Sequence, residues 1–475
     1  MTLDRNNSGE KNTATCDDGI IQKDVFDDED GRVRTGTMWT ASAHVITAVI
    51  GSGVLSLAWS IAQLGWIAGI LVLIAFSLIT FYTTFFLADC HRAPVTGKRG
   101  HNYMEVVRAY LGETSVKLCA LAQYSNLVGT AIGYTITASI SMVAVHRSNC
   151  FHKYGHHVTC QTDNYPYMIT FGCIQLVISQ IPNFHKLAWL SVVAAVMSFS
   201  YSGIGVGLAL AKVVGGGPRP RTTLTGTTVG IDVTAQDKIW KVFQSIGNIA
   251  FAYSFSNIMV EIQDTLKPSP PEKIEMKKAS VIGISTTTAF YVLCGVLGYA
   301  AFGNNAPGNF LTGFGFYEPF WLIDFANVCI VVHLVGAYQV YAQPIFSIVE
   351  EKSAKWWPES SFINKDHKVL GYPVNLFRLV WRTIFVIITS VVAMLIPFFN
   401  DILGLLGAGS FYPLTVYFPI EMHIVQAKVK KYSPEWMWLK ILSWTCLVIS
   451  LIAAAGSIQG IVMDLKTYKP FGSVS

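Results

Sequence analysis

The chain has 475 residues, of which 52% are hydrophobic and only 13% are charged, whereas a soluble domain carries about 25% charged residues. This composition predicts an integral membrane protein, independently of any motif. The net charge of +5 is small and the basic residues are spread over loops, so nothing indicates a nucleic-acid partner. The nine cysteines contain no C-x-x-C pair, and no metal site or bound cofactor is predicted.

Residues 1–36 form an acidic and polar segment without the apolar core of a signal peptide. We expect a disordered tail there. Residues 37–463 contain all the long apolar segments and form the predicted membrane domain.

The apolar segments predict an all-α protein with eleven transmembrane helices, since a helix that crosses a bilayer needs about 20 apolar residues. The weakest boundary is the short connection at 397–401, between the ninth and tenth segments. The eleven predicted spans are roughly 38–62, 65–89, 115–145, 165–182, 187–212, 239–265, 279–302, 319–349, 376–397, 401–421 and 437–463.

Lysine and arginine are concentrated in the loops that are cytosolic if the N-terminus is cytosolic, which is the usual bias of membrane proteins. The loop at 303–318, on the opposite side, has neither residue, although Arg219 and Arg221 lie on that side too. We therefore expect a cytosolic N-terminal tail. An odd number of spans then makes residues 464–475 a short extracellular tail.

Cys150 and Cys160 share one polar loop on the predicted extracellular side, where an oxidising environment permits a disulfide. Two free thiols are the alternative. Histidines crowd the same loop, at His152, His156 and His157, and we interpret them as part of a solvated loop rather than as metal ligands.

Two spans carry an interruption at their centre. The first reads AVIGSGVLSLAWS, residues 48–60, and each glycine inside a helix costs about 1 kcal/mol relative to alanine. The sixth has Gly247 and Asn248 followed by AFAYSFS, residues 250–256. Interrupted helices at matching places in two halves indicate a transporter's substrate site. They predict two inverted five-helix repeats, about 38–212 and 239–421, with an extra helix.

Backbone groups left unpaired at such breaks cannot face lipid, so they must line a cavity. Free N–H groups near Gly53, Val54 and Leu55 would lie at the positive end of a helix dipole and suit a carboxylate. Free carbonyls near Ala250 and Phe251 would suit an ammonium group. Together they predict a site for a zwitterionic α-amino acid.

Close helix packing is the alternative explanation of the glycines, because small residues let helices approach one another. Gly129-x-x-x-Gly133 in the third span has no matching interruption, and we interpret it as packing alone.

Long stretches of the chain resemble the plant amino acid permeases of the amino acid/auxin permease family, within the APC superfamily. The resemblance extends from about Arg34 to Phe471. The segments that carry it are RTGTMWTASAHVITAVIGSGVLSLAWSIAQLGW (34–66), IAFAYSFSNIMVEIQDTLK (249–267), LCGVLGYAAFGNNAPGNFLTGFGFYEP (293–319), HLVGAYQVYAQP (333–344) and PFFNDILGLLGAGSFYPLTVYFPIEM (397–422).

This resemblance implies a leucine-transporter-type fold with a five-plus-five inverted repeat, a plasma-membrane location and proton-coupled uptake of amino acids. Many members of the family have aspartate where this chain has Asn248. The missing charge predicts a preference for neutral amino acids, with acidic ones as a second class, over basic ones. An amino acid sensor or a channel of the same fold is the alternative function. The sequence contains no ATP-binding motif or catalytic motif, so neither a pump nor an enzyme is predicted.

Ionisable residues inside membrane spans are rare and usually functional. Histidine titrates near neutral pH, so His44 and His333 are candidates for proton coupling, and Asp324 and Glu261 are further candidates. For each of them a structural hydrogen bond or ion pair is the alternative role.

The predicted partners are an amino acid and membrane lipid, with the proton as coupling ion; the sequence predicts no oligomeric state. The candidate substrate-binding residues lie at the two interruptions and on the third and eighth spans. They are Ile50, Gly51, Ser52, Gly53, Val54, Tyr124, Asn126, Asn248, Ala250, Phe251, Tyr253, Phe255 and Asn327.

Overall fold

The computed structural model describes most of the chain from Arg34 to Tyr468. The described residues are 34–155, 157–158, 160, 162–181, 188–215, 217–314, 319–369 and 372–468. The predicted N-terminal tail therefore lies outside them, apart from residues 34–36, as do the last seven residues.

Helices make up nearly all of the described structure. In the first half they are α1 (Met38–Val49), a 3₁₀ turn (Ser52–Ser56), α2 (Leu57–Asp89), α3 (Tyr103–Tyr154), α4 (Tyr165–Ser179) and α5 (Ala188–Val214). They continue with α6 (Ala235–Ala252), a 3₁₀ turn (Ser256–Ile258), α7 (Met259–Asp264) and α8 (Glu272–Phe302).

The elements after α8 are also mostly helical. They are 3₁₀ turns (Gly303–Asn305, Phe310–Phe314), α9 (Phe320–Trp356), α10 (Ser361–Asn364), α11 (Leu376–Leu395), α12 (Phe399–Ser410), a π-helical turn (Phe411–Tyr417), α13 (Phe418–Gln426) and α14 (Pro434–Thr467). A small antiparallel hairpin, β1 (Asp366–Val369) and β2 (Tyr372–Asn375), precedes α11. The last helix extends four residues beyond its predicted end at 463.

Eight helical segments of the described residues are long and apolar enough to cross a membrane. Two of them, α2 and α3, contain a glycine with positive φ, Gly65 at +82° and Gly112 at +79°, where the chain changes direction. Gly65 therefore divides α2 where the sequence divides the first two predicted spans. The protein is a multi-pass membrane protein, while the number of eleven spans stays a prediction.

Gly65 also meets another glycine with positive φ, Gly226, in the loop between α5 and α6. A Cβ at Gly65 would lie 2.3 Å from the N atom of Gly226, and a Cβ at Gly226 would lie 2.4 Å from the carbonyl oxygen of Ala62. The N–H of Thr227 donates to that carbonyl at 2.9 Å. The loop is thus packed, backbone against backbone, on the end of the first predicted span.

Glycines bring α8 close to the first two helices. A Cβ at Gly283 would lie 2.5 Å from a side-chain carbon of Val45, and one at Gly298 would lie 2.6 Å from the Cβ of Ala58. Because Val45 precedes the first interruption and Ala58 follows it, α8 supports both halves of the interrupted helix. Gly129 of α3 packs on Leu406 of α12, so its interpretation as a packing residue is confirmed.

The two ends of the bundle are distinguished by two features. At one end Cys150 and Cys160 form a disulfide with a Cα–Cα distance of 5.9 Å, as the sequence predicts; we call this end the disulfide side. At the other end, the N-terminal side, Arg34 forms an ion pair of 2.9 Å with Asp264, and Gly36 pairs with Leu266 in an isolated β-bridge.

Candidate functional site

The first interruption is a genuine break in the helix. After Val49 the backbone leaves helical geometry at Ile50 (ψ 75°) and Gly51 (φ −118°, ψ −145°), and a 3₁₀ turn begins at Ser52. The first N–H groups of a helix have no intrahelical acceptor. Here these are the groups of Ser52 and Gly53, one residue earlier than the sequence predicts. We call residues 50–51 the first break.

Hydroxyl groups of α5 satisfy the carbonyls of the first break. Ser198 donates to the carbonyl oxygen of Ile50 at 2.8 Å, and Tyr201 donates to those of Ile50 and Gly51 at 3.2 and 3.0 Å. Both side chains are buried. The unwound backbone therefore depends on a neighbouring helix for its hydrogen bonds.

His333 of α9 lies behind this arrangement. Its Nδ1 is 2.8 Å from the Ser198 hydroxyl and 3.0 Å from the Ala194 carbonyl oxygen. Because Ser198 donates its hydrogen to Ile50, Nδ1 must carry a hydrogen, and the neutral ring keeps its lone pair on Nε2. That Nε2 is buried without a partner among the described residues, and it would lie 3.8 Å from a Cβ at Gly51.

The second interruption, residues 253–255, ends α6 and closes on itself; we call it the second break. The Ala250 carbonyl accepts from the N–H of Tyr253 (3.2 Å) and the hydroxyl of Ser254 (2.7 Å). The Phe251 carbonyl accepts from the N–H of Ser254 at 3.0 Å. The prediction that the carbonyls of Ala250 and Phe251 are free is therefore wrong, because tight turns satisfy the last carbonyls of the helix.

Side chains of α3 hold the turn that follows the second break. Asn257 donates its amide to Oδ1 of Asn126 at 2.8 Å. Gln123, one turn earlier on α3, donates to the carbonyl oxygen of Asn257 at 2.9 Å. The position of the second break thus depends on amides of the third predicted span.

The two interrupted helices touch each other at Gly53, just after the first break, and Ala252, just before the second. A Cβ at Gly53 would lie 2.9 Å from the Cα of Ala252 and 3.1 Å from its Cβ. At Gly51, by contrast, a Cβ would make only ordinary contacts, 3.7 Å from the Tyr134 hydroxyl and 3.8 Å from His333. Close approach of two helices therefore requires glycine at position 53 but not at position 51.

A small, partly open cavity lies between the two breaks. It contains six of the thirteen predicted residues, which are Gly51, Ser52, Gly53, Asn126, Phe251 and Phe255. It is also lined by residues that the sequence analysis did not select, which are Ala48, Val49, Thr130, Tyr134, Ala252, Ser254 and Tyr341.

Three polar atoms of this lining are buried without a hydrogen-bond partner in the described part of the chain: Oγ of Ser52, Nδ2 of Asn126 and Oγ1 of Thr130. An unsatisfied buried polar group costs about 1–3 kcal/mol. Together with the N–H groups of Ser52 and Gly53, these atoms suit a small polar ligand. Phe251 and Phe255 add an apolar surface beside them.

Four predicted residues of the breaks do not line the cavity. The carbonyl of Ile50 faces α5, and Val54 is buried in the 3₁₀ turn. Ala250 uses its carbonyl within the second break. Tyr253 points its hydroxyl to Thr288 of α8, 3.2 Å away.

Three predicted residues on neighbouring helices also lie away from the cavity. Asn248 is fully buried on the face of α6 that packs on α12, with its Oδ1 3.0 Å from the Cβ position of Gly404. Asn327 donates to the Ile323 carbonyl of its own helix at 3.0 Å. Tyr124 is half-buried on α3 and does not reach the cavity. Helix rotation, which residue spacing alone does not fix, decides these positions.

Of the four candidates for proton coupling, only His333 approaches a break. His44 is half-buried on α1 and does not line the cavity. Asp324 accepts a hydrogen bond of 2.8 Å from Asn149 near the disulfide side. Glu261 lies on α7 towards the N-terminal side, where it accepts from the N–H of Tyr103 at 3.4 Å.

Two of the cavity-lining residues that were not predicted, Thr130 and Tyr134, can be recognised from their spacing in the sequence. Asn126, Thr130 and Tyr134 follow one another at intervals of four, so they lie on one face of α3. A cavity that includes Asn126 is therefore expected to include Thr130 and Tyr134 as well. Tyr341 lies on α9, and its ring meets that of Tyr134 edge-on with centroids 5.5 Å apart; no local pattern indicates that contact.

Comparison with known structures shows the fold. The inward-facing structure of Mhp1 aligns with 93% of this chain and 93% of its own, at 13% identity and a TM-score of 0.53. The complex of MhsT with L-phenylalanine covers 90% of this chain and 100% of its own, at 11% identity and a TM-score of 0.51. The predicted leucine-transporter-type fold is confirmed by these similarities.

Comparison of sequences shows the family. The family model for the transmembrane amino acid transporter protein matches residues 34–463. Amino acid permease 6 of Arabidopsis thaliana is 67% identical over 94% of this chain and 94% of its own length. Amino acid permease 8 of the same plant is 64% identical over 94% and 95%. The chain therefore belongs to the transmembrane amino acid transporter family and, within it, to the plant amino acid permeases.

Proposed function

We propose that this protein is a proton-coupled symporter that imports neutral amino acids, and acidic ones as a second class, across the plasma membrane by alternating access. The observation that carries the proposal is the composition of the cavity lining between the two breaks. This lining combines backbone N–H groups at a helix start, unpartnered polar side chains and two phenylalanines.

The cavity lining suits the carboxylate and the side chain of an amino acid. The N–H groups of Ser52 and Gly53 would bind the carboxylate, since the start of a helix attracts negative charge. Ser52 and Thr130 add hydroxyl groups that lack partners in the described structure. Phe251 and Phe255 favour an uncharged side chain, because a charge placed against an apolar surface loses its hydration.

His333 is the coupling residue that the geometry supports best. Its Nε2 lone pair points towards the first break, and its other nitrogen is fixed by Ser198, which itself binds Ile50. Protonation of Nε2 would add a donor and a positive charge at the back of the first break. The proton and the break are thus joined through one short chain of hydrogen bonds.

A proton gradient supplies enough energy for this transport. One charge that crosses about 100 mV releases about 2.3 kcal/mol, and each pH unit adds about 1.4 kcal/mol. With a difference of roughly two pH units the sum is about 5 kcal/mol, which allows accumulation on the order of a thousandfold or more.

Alternating access fits the contacts at the N-terminal side. There Arg34 pairs with Asp264, and Arg99 donates to the carbonyl oxygen of Leu266 at 2.9 Å. The first bond joins the segment before α1 to the end of α7, and the second joins the loop between α2 and α3 to the residues just after α7. We propose that this side is cytosolic, that the disulfide side is extracellular, and that the contacts open when substrate is released.

The test is uptake of labelled neutral amino acids in a transport-deficient cell at several external pH values, with the membrane current recorded. We expect saturable accumulation, inward current and loss of accumulation when the proton gradient is collapsed. Accumulation that survives this collapse would contradict proton coupling, and flux without saturation or accumulation would indicate a channel. Binding with little flux would indicate a sensor.

The coupling residue is tested with His333→Gln, which keeps a polar side chain but does not titrate. We expect its uptake to lose most of its dependence on external pH. His44→Gln is the matched control and is expected to keep the wild-type pH profile. The reverse result would assign the coupling to His44.

A further inference from the structure

One hydroxyl group touches both broken helices. Tyr291 is fully buried on α8. Its hydroxyl lies within hydrogen-bonding distance of the Val49 carbonyl, which ends α1, and of the Ala252 carbonyl, which ends α6, at 2.9 Å from the latter. In each case the carbonyl is the last one before a break.

The Tyr291 hydroxyl has fewer hydrogens than acceptors. A tyrosine hydroxyl has a single hydrogen, and it faces two carbonyl oxygens. The Val49 carbonyl has a second donor, the N–H of Gly51 at 2.8 Å. Within the described residues the Ala252 carbonyl has no donor other than Tyr291. The second break therefore depends on this hydroxyl for its last carbonyl.

The position of Tyr291 is fixed by the packing of α8. Gly283 meets Val45 before the first break, and Gly295 meets Ile61 after it, with Cβ positions 2.5 and 2.6 Å from the nearest side-chain atoms. The ring of Tyr291 packs edge-on against that of Tyr253, with centroids 5.2 Å apart. The hydroxyl is thus held between the two helix ends by contacts on both sides.

From this geometry we propose that Tyr291 is a positioning residue that ties the end of α1 to the end of α6 through its one shared hydrogen. The tie keeps Ala252 against Gly53, which is the contact that shapes the cavity. Only the uptake measurement below rests on the proposed transport function. The hydrogen-bonded tie can be tested in the protein whether or not it transports amino acids.

The first arm of the test measures uptake kinetics of Tyr291→Phe, which keeps the ring and removes the hydroxyl. We expect KM for a neutral amino acid to rise about tenfold, while the maximal rate per transporter at the surface stays within about twofold. Tyr338→Phe is the matched control. That tyrosine is equally buried, but its hydroxyl bonds Thr389 at 3.0 Å, away from both breaks. An unchanged KM in Tyr291→Phe, or an equal rise in Tyr338→Phe, overturns the proposal.

The second arm measures the distance between the two helices without any uptake. Spin labels on Trp39→Cys of α1 and Ile239→Cys of α6, both exposed, report the separation in the purified, reconstituted protein with Cys16 and Cys173 replaced by serine. We expect a narrow distribution in wild type and Tyr338→Phe and a broader one in Tyr291→Phe. Equal widths in all three overturn the tie, even if uptake fails altogether.

A third variant covers the case in which Tyr291→Phe does not fold. Replacement of the Tyr291 hydroxyl by an amino group, with 4-aminophenylalanine, supplies two hydrogens for the two carbonyls. We expect KM within about twofold of wild type, or lower, and a distance distribution at least as narrow. A raised KM or a broad distribution in this variant contradicts the shared-hydrogen account.

Discussion

At the first break the carbonyls of Ile50 and Gly51 accept hydrogen bonds from hydroxyl groups of α5, a helix about 150 residues away in the chain. At the second break the carbonyls of Ala250 and Phe251 accept from the next few residues of the same segment. One interruption is therefore maintained by tertiary contacts and the other mainly by its own turns.

The two breaks are therefore sensitive to different substitutions. Changes on α5 can disturb the first break without touching the second, while the second break is expected to tolerate loss of the Ser254 hydroxyl because the Ala250 carbonyl keeps the N–H of Tyr253 as a donor. Since α5 holds the first break through Ser198 and Tyr201, we propose that α1 and α5 move together in the proposed alternating access.

The largest effect is expected where the two breaks meet. Gly53→Ala places a Cβ 2.9 Å from the Cα of Ala252, and backbone cannot move aside as a flexible side chain can. We expect uptake to fall by at least about tenfold at normal surface expression, and Gly53→Leu to abolish it. Uptake of labelled amino acid per surface transporter measures both.

Gly51→Ala is the matched control for this prediction, since its Cβ would lie no closer than 3.7 Å to any side chain or backbone of the described residues. We expect it to keep most of the wild-type uptake. Equal loss at both positions would mean that backbone flexibility, rather than the contact between the breaks, requires the glycines.

A smaller but still large effect is expected from the hydroxyl groups of α5. Ser198→Ala combined with Tyr201→Phe leaves the buried Ile50 carbonyl without both of these donors, at a cost of about 1–3 kcal/mol, and removes one donor from the Gly51 carbonyl. We expect a lower melting temperature in detergent and reduced uptake. Ser254→Ala is the contrast at the second break and is expected to be mild, because the Ala250 carbonyl keeps its backbone donor. Similar losses in the two variants would remove the distinction between the breaks.

A change of substrate preference is expected at Asn248, one turn before the second break. Asn248→Asp adds a negative charge on the face of α6 that is turned away from the cavity. Its attraction of a cationic substrate acts through the low-dielectric interior without contact, so we expect the ratio of lysine to glutamate uptake to rise by roughly a few fold. Asn327→Asp, another buried amide away from the cavity, is the control for a charge placed elsewhere. An unchanged ratio in Asn248→Asp would defeat the proposed basis for selectivity.

The smallest effect on uptake is expected from substitution of Asp232, which lies in the loop before α6 and far from both breaks. Asp232 accepts from the N–H of Thr228 (2.7 Å) and the amide of Asn304 (2.8 Å). The N–H of Thr228 and the Asn304 amide, with Arg221 nearby, hold the pKa of this carboxyl below its usual value. Its stabilising contribution is present above the unfolded-state pKa and is lost as the pH falls through the lower folded-state pKa.

We therefore expect Asp232→Asn to lower the melting temperature slightly at neutral pH and to match wild type at strongly acidic pH. Uptake should change little. A melting difference that is the same at every pH would show that the charge is not responsible.

The sequence predicts the first break because two glycines within three residues are unfavourable in a helix. It predicts the second from Gly247 and Asn248, although both lie within α6 and the break begins at Tyr253. The predicted boundary between the first two spans, 62–65, agrees with the change of direction at Gly65. The sequence does not predict that the carbonyls of Ala250 and Phe251 are satisfied within their own turn, since the choice between an open end and a tight turn depends on backbone angles.

The residues that support the site are less predictable still. Tyr201 and Tyr291 look like ordinary apolar-helix tyrosines, and only the packing of α5 and α8 against the breaks gives their hydroxyls a role. Asn248 illustrates the opposite case. Its polarity marks it as functional in the sequence, but the rotation of α6 turns it towards α12 and away from the cavity.

The contact between Gly65 and Gly226 has a practical consequence for measuring uptake per surface transporter. Each surface assay needs an accessible epitope tag, and the loop before α6 is the obvious place for one. An insertion at Gly226 would separate two backbones that lie in contact, whereas a Cβ at Gly217 would meet nothing within 4 Å. The same loop thus offers one position that tolerates a tag and, nine residues later, one that does not.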